Sequence, residues 1–151
     1  MDSAREIENL LYTYAERIDR GDFEAVAELF AHAVVYGVED GPPETRFAGV
    51  DGVRRMYEMS TRRYDDDGTP KSKHLITNAI IEVDEEAGTA AARSYYCVLQ
   101  ATPALPLQPI VTGHYRDTFQ RIDGVWWFAT RTMYLDQLGD LSQHLLFEPR
   151  Q

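Results

Sequence analysis

Apolar positions recur at helical spacing through the first turns of the chain. Ile7, Leu10, Leu11, Tyr14 and Ile18 follow i, i+3, i+4, i+7 and i+11, the stripe of an amphipathic helix. Ser3 and Glu6 have the spacing of a capping box, and Gly21 is placed to stop the helix. Asp22 then stands where it would cap a short second helix, FEAVAELF, and AVVYGV reads as a strand. EDGPPETRFAG is a loop with a short strand at its end. Asp51 is expected to cap a third helix, with Val53, Met56, Tyr57 and Tyr64 along one side.

The periodicity changes after the polar, turn-rich stretch RYDDDGTPKSK. Four strand-like runs follow, at about 73–83, 89–101, 110–122 and 125–135. DEEAG joins the first two, and TPALPLQP, with three prolines, is expected to be a loop between the middle pair. Asp123–Gly124 is a strong hairpin signal. The tail LGDLSQHLLF offers a last apolar segment able to fold back as a lid. Helices first and a meander of strands afterwards predict an α+β fold, a curved antiparallel sheet with helices on one face. With no internal repeat or boundary in 151 residues, the expectation is one domain over 1–151.

A net charge of −10 argues against nucleic acid, whose affinity comes mainly from Lys and Arg contacts to phosphate. No apolar run reaches the roughly 18 residues of a membrane span, and MDSAREIENLL lacks the charge order of a signal peptide, so a cytoplasmic location is expected. The one cysteine, Cys97, rules out an internal disulfide and lies in an apolar strand, where an inert thiol is expected. His32, His74, His114 and His144 have no close ligand spacing, and there is no phosphate loop, dinucleotide fingerprint or G-x-S-x-G elbow. No metal or organic cofactor is expected. A small ligand remains compatible with the acidity, because a local cationic group dominates inside a pocket.

Strand alternation sorts the remaining polar residues. His74, Ile76 and Asn78 share one face of their strand, and Tyr115 and Asp117 fall on the interior face of theirs, with His114 on the outer one. For His74 two readings stand: a packed histidine satisfied by a backbone carbonyl, or a general base, to which imidazole is suited near neutral pH. A catalytic histidine needs an orienting carboxylate. Asp19 is the candidate, because it ends the first helix, where the dipole disfavours negative charge by up to about 1 kcal/mol, and lies at the edge of the apolar stripe. The alternative is a solvated member of the charged run ERIDRGD.

The order of YAERIDRGDFEAVAELFA, FAGVDGVRRMY, KHLITNAIIEVD, AAARSYYCVL and GHYRDTFQRIDGVWWFATR resembles the SnoaL-like branch of the nuclear transport factor 2-like superfamily, across nearly the whole chain. The resemblance implies a cone-shaped α+β barrel, its curved, mostly antiparallel sheet wrapped around N-terminal helices with one deep, mostly apolar pocket. Relatives include polyketide cyclases, steroid isomerases, scytalone dehydratase, hexachlorocyclohexane dehydrochlorinase and non-catalytic subunits. In the dehydratase and dehydrochlorinase branches an Asp–His pair does the work, and Asp19 and His74 match its two positions. Arg131 matches an arginine of the dehydrochlorinase, and Tyr14, Tyr96 and Tyr115 match pocket-lining positions. Ile18 stands where scytalone dehydratase has a tyrosine, which argues against that exact activity.

Arg131 depends on the hairpin. A two-residue turn at Asp123–Gly124 turns it away from Tyr115 and Asp117, and a three-residue turn with a bulge brings it inside. The expected function is a cofactor-independent lyase or isomerase acting on a small apolar or aromatic molecule, with catalytic Asp19 and His74 and with Tyr14, Asn78, Tyr96, Tyr115 and Arg131 binding substrate. The alternative is a ligand-binding or accessory protein of the same fold. The resemblance also implies a homodimer or homotrimer.

Overall fold

In the computed structural model, residues 2–149 are described. Helix α1 (Ser3–Asp19) buries Ile7, Leu11, Tyr14, Ala15 and Ile18, the anticipated stripe. Its cap is Asp2 rather than Ser3: the helix already includes Ser3, and the Asp2 carboxylate accepts from the Arg5 amide. Gly21 adopts φ 72°, a left-handed turn suited to glycine, and the chain passes at once into α2 (Phe23–Leu29), capped by Asp22 as expected. Helix α3 (Gly49–Ser60) starts before Asp51, which instead sits in its first turn and pairs with Arg54. The helix ends at Ser60, so Tyr64 lies beyond it.

The strands are β1 (Val34–Tyr36), β2 (Arg46–Ala48), β3 (Ser72–Asp84), β4 (Thr89–Thr102), β5 (Leu105–Ile122) and β6 (Val125–Leu138). They form one sheet in the order β2-β1-β6-β5-β4-β3, antiparallel except where β1 runs parallel to β6. The result is the α+β arrangement expected, a curved, unclosed sheet with three helices. Helix α1 packs on β3 and β6, and α2 lies between α1 and α3. Ile7, Leu11, Ile18, Phe30, Val53, Phe119 and Phe128 are the centre of the core, and such side chains contribute about 1.5–3 kcal/mol each. Among the described residues no helix is long and apolar enough to cross a membrane.

The segment TPALPLQP is not the expected loop. The chain turns back sharply, pairing Thr102 with Leu105, and β5 includes Pro106 and Pro109. Pro109 faces Leu99 at a register shift, where the ladder is already interrupted and a missing N–H costs little.

Two single-residue bulges decide what faces inward. In β3 the pairing jumps from Thr77↔Tyr95 to Ile80↔Arg93, and Asn78 takes φ 43°, a left-handed conformation that asparagine tolerates. In β6 it jumps from Thr130↔Thr118 to Phe128↔Phe119, leaving Ala129 as the extra residue. The hairpin at Asp123–Gly124 is the two-residue kind, pairing Ile122 with Val125. Arg131 is nevertheless interior, because the bulge within β6 inverts the parity, a route neither turn geometry anticipated.

The tail folds back over the sheet. Leu145 bridges Thr61, the Leu146 amide donates to the Ser60 carbonyl, and the Tyr64 hydroxyl and Gln100 amide both donate to the Gln143 carbonyl.

Candidate active site

Asp19 emerges from the last turn of α1 directly beside the start of β3. Its Oδ1 accepts from the Ser72 hydroxyl at 2.9 Å and faces His74 Nδ1 at 2.7 Å. Its Oδ2 accepts from the His74 backbone amide at 2.8 Å. Both side chains are largely buried, at 13% and 7% exposed. An ionised carboxylate only accepts, so His74 carries a proton on Nδ1, and the neutral ring then presents its lone pair on Nε2. Ser72 and the backbone amide fix the carboxylate, and the carboxylate fixes the ring.

The His74 ring lines a cavity of about 340 Å³ between the sheet, α1, α3 and the tail. Its walls are mainly apolar, with Met56, Val98, Met133 and Leu141, and Met59 and Phe147 stand exposed at its edge. Its polar side chains are tyrosines together with Ser60, Thr61, His74 and His144. Tyr14 and Tyr57 share a hydroxyl–hydroxyl hydrogen bond of 2.7 Å, and Tyr96 donates to the Tyr134 carbonyl at 2.8 Å. The Tyr96 ring stacks on Tyr115 at 4.4 Å, and Tyr14 meets Tyr115 and His74 edge-on. Burial first, and then the neighbouring Tyr14, push the Tyr57, Tyr96 and Tyr115 phenols up, so they stay protonated donors. Gly113 makes room for this wall. A Cβ there would lie 2.0 Å from the Tyr134 carbonyl oxygen and 2.4 Å from the Tyr96 ring.

Of the residues singled out in the sequence, the structure brings Tyr14, His74, Tyr96 and Tyr115 to the cavity and places Asp19 behind His74. Asn78 is a correction. The bulge turns it to the outer face of the sheet, exposed beside Ile80, Tyr95 and His114, where its Oδ1 accepts from Thr77. Arg131 is a second correction, because it is interior but not part of the cavity wall. It is fully buried, held bidentately by Asp117, with its guanidinium 3.7 Å from the Tyr115 ring centre and 4.5 Å from that of Tyr14. It supports the tyrosine wall from beneath.

Ser72 and His144 were missed, and of Tyr57 only its place on one side of the third helix was read, not its hydroxyl contact. Ser72 shares the inward face of His74 two positions earlier, a relation visible by parity. Tyr57 lies on the buried face of α3, where its hydroxyl meets Tyr14. His144 lines the cavity from the tail, its ring centre 6.2 Å from that of His74. The one available signal was a histidine inside an otherwise apolar lid. Among the described residues no cluster of three or more His, Cys, Asp or Glu side chains is placed to hold a metal ion.

A family model for the SnoaL-like domain matches residues 1–132. Among solved structures, a putative scytalone dehydratase from Novosphingobium aromaticivorans is 24% identical, with a TM-score of 0.71 over 97% of this chain and 89% of that one. A protein of unknown function with a cystatin-like fold from Nostoc punctiforme is 21% identical, with a TM-score of 0.71 over 91% and 94%. A nuclear transport factor 2-like protein with a cystatin-like fold, also from Novosphingobium aromaticivorans, is 20% identical, with a TM-score of 0.69 over 87% and 80%. At these identities the likeness is one of fold. No curated protein matches the sequence significantly. The chain belongs to the SnoaL-like domain family.

Proposed function

We propose that the protein is a cofactor-independent lyase or isomerase that acts on a small, mainly apolar molecule with His74 as general base. The observation that carries this reading is the Asp19–His74 pair: Nδ1 is committed to a carboxylate at 2.7 Å, and the same ring lines an apolar cavity. The unprotonated Nε2 takes a proton from carbon, and Asp19 stabilises the imidazolium that results. Removing water from such a site strengthens every electrostatic contact within it. Tyrosine hydroxyls on the wall donate to negative charge developing on the substrate. Positioned acid–base catalysis of this kind contributes about 10²–10⁴-fold.

The test is a turnover screen over apolar alcohols, ketones and halides, followed by His74→Ala and Asp19→Asn on any substrate found. Loss of at least about 10²-fold in both variants is the expected result. Full activity in both would sink the mechanism, and binding without turnover across the screen would favour a ligand-binding role.

A further inference from the structure

His144 takes no part in the chemistry described so far. It is 6% exposed, lines the same cavity as His74, and its Nδ1 is enclosed without a hydrogen-bond partner. The tail, not the ring, fixes its place. The His144 carbonyl accepts from the Arg62 amide at 2.8 Å, and its amide donates to the Leu141 carbonyl at 3.1 Å. Its neighbours Leu141 and Leu145 are apolar and packed on the core. A leucine would serve packing better there, because a buried polar atom left unmade costs about 1–3 kcal/mol.

The protonation of the ring follows from its surroundings. A buried N–H without a partner is rarer and costlier than a spare lone pair, so Nδ1 keeps the lone pair and Nε2 carries the proton. Burial and the facing His74 push the imidazolium down to about 4, offset only in part by Asp19, so the ring is neutral near pH 7. His74 has the opposite arrangement, with its N–H committed to Asp19 and a lone pair on Nε2. The two ring centres lie 6.2 Å apart and the rings are inclined at 56°. Both rings line the one cavity, close enough for a single ligand to touch both.

We infer that His144 is the oxygen-binding partner of His74, a neutral N–H donor that holds the carbonyl oxygen of an apolar ketone while His74 takes a proton from the adjacent carbon. This rests on the general-base reading above and adds to it the substrate class and the group that binds its oxygen. The proton passes to His74 Nε2, and the C–H electron pair becomes the C=C bond of an enolate. The carbonyl π pair moves onto oxygen, which His144 hydrogen-bonds without surrendering its proton. The imidazolium of His74 then returns the proton to another carbon, giving an isomer, or protonates a departing β-hydroxyl, giving water and an unsaturated ketone.

α-Tetralone, an apolar ketone with exchangeable α-hydrogens, and tetralin, its oxygen-free counterpart, are suitable probes. In the wild type and in His74→Ala, the carbonyl stretch of bound α-tetralone should fall to lower wavenumber than in His144→Phe. The preference for α-tetralone over tetralin should drop roughly five- to tenfold in His144→Phe and persist in His74→Ala. Exchange of the α-hydrogens in heavy water should vanish in His74→Ala and slow by about 10² in His144→Phe. If His144→Phe does not fold, the wild type labelled with ¹⁵N-histidine gives an independent reading: the Nε2–H tautomer of His144, with a resonance that moves on adding α-tetralone. No binding of α-tetralone, an unshifted carbonyl band, an unchanged preference in His144→Phe or an unmoved His144 resonance overturns the assignment. α-Exchange that survives His74→Ala overturns the base reading instead, whatever His144 does.

Discussion

Asp117 and Arg131 meet inside the core, Nε to Oδ1 at 2.7 Å and Nη2 to Oδ2 at 3.1 Å, with neither side chain exposed. Burial pushes the Asp117 carboxyl up, and the guanidinium offsets this only in part. Burial also opposes the charge on Arg131, but Asp117 more than compensates and raises it. A guanidinium does not deprotonate in proteins, so the bidentate pair is ionised near pH 7. It lies under the rings of Tyr14 and Tyr115 and holds the floor of the cavity.

Asp117→Asn should therefore be severely destabilising, by about 3–5 kcal/mol, because it leaves the guanidinium buried without its counter-charge. Replacing both residues with apolar ones of similar volume should recover much of that loss. Thermal melts of the two variants provide the comparison. A single variant that melts like the wild type would mean the pair is not a structural element.

Asp19→Asn tests the orientation of His74. The carboxylate accepts three donors, and an amide of the same shape turns an N–H toward at least one of them. Nδ1 of His74 is then free to accept, the ring proton moves to Nε2, and the lone pair facing the cavity is lost. Turnover should fall about 10²–10⁴-fold while circular dichroism stays that of the wild type. Ser72→Ala removes one donor only and should cost about 1 kcal/mol with a smaller effect on turnover.

What the sequence revealed, and what it did not, divides along the reach of local rules. The stripe of α1 and the Asp22 cap are local, and they read correctly. The Asp19–His74 pairing spans 55 residues and two α-helices, and no spacing rule joins its members; the family resemblance did. Asn78 was misplaced because it forms a bulge, and one inserted residue inverts every later parity assignment on its strand; the bulge at Ala129 does bring Arg131 inside, but Asp117 holds it beneath the tyrosines and away from the cavity. Nothing in KHLITNAIIEVD or VWWFATR marks that residue locally. His144 was missed because a lid contributes to a site only once it closes, and what it covers is a tertiary fact.

Asn78 lies outside the cavity, so its substitution should affect stability and not turnover. At φ 43° glycine is at ease and a β-branched residue is not. Asn78→Gly should stay within about 0.5 kcal/mol of the wild type, and Asn78→Val should lose about 1–2 kcal/mol. Chemical denaturation measures both. A selective loss of turnover in Asn78→Gly, with the melt unchanged, would return this residue to the site.

The pH dependence of stability should carry the signature of His144. Its imidazolium is pushed down from the ordinary 6.5 to about 4, chiefly by burial and next by the facing His74, against the pull of Asp19. Between those two values the unfolded chain binds a proton that the folded chain does not, so stability falls as the pH falls. The contribution is complete above about pH 6.5 and lost progressively toward pH 4, amounting to about 3 kcal/mol. Urea titrations of the wild type and His144→Phe across this range should separate as the pH falls, the wild type losing stability that the variant keeps, with the variant showing the shallower slope. Parallel slopes would mean that His144 titrates as an ordinary exposed histidine and is not enclosed by the tail in solution.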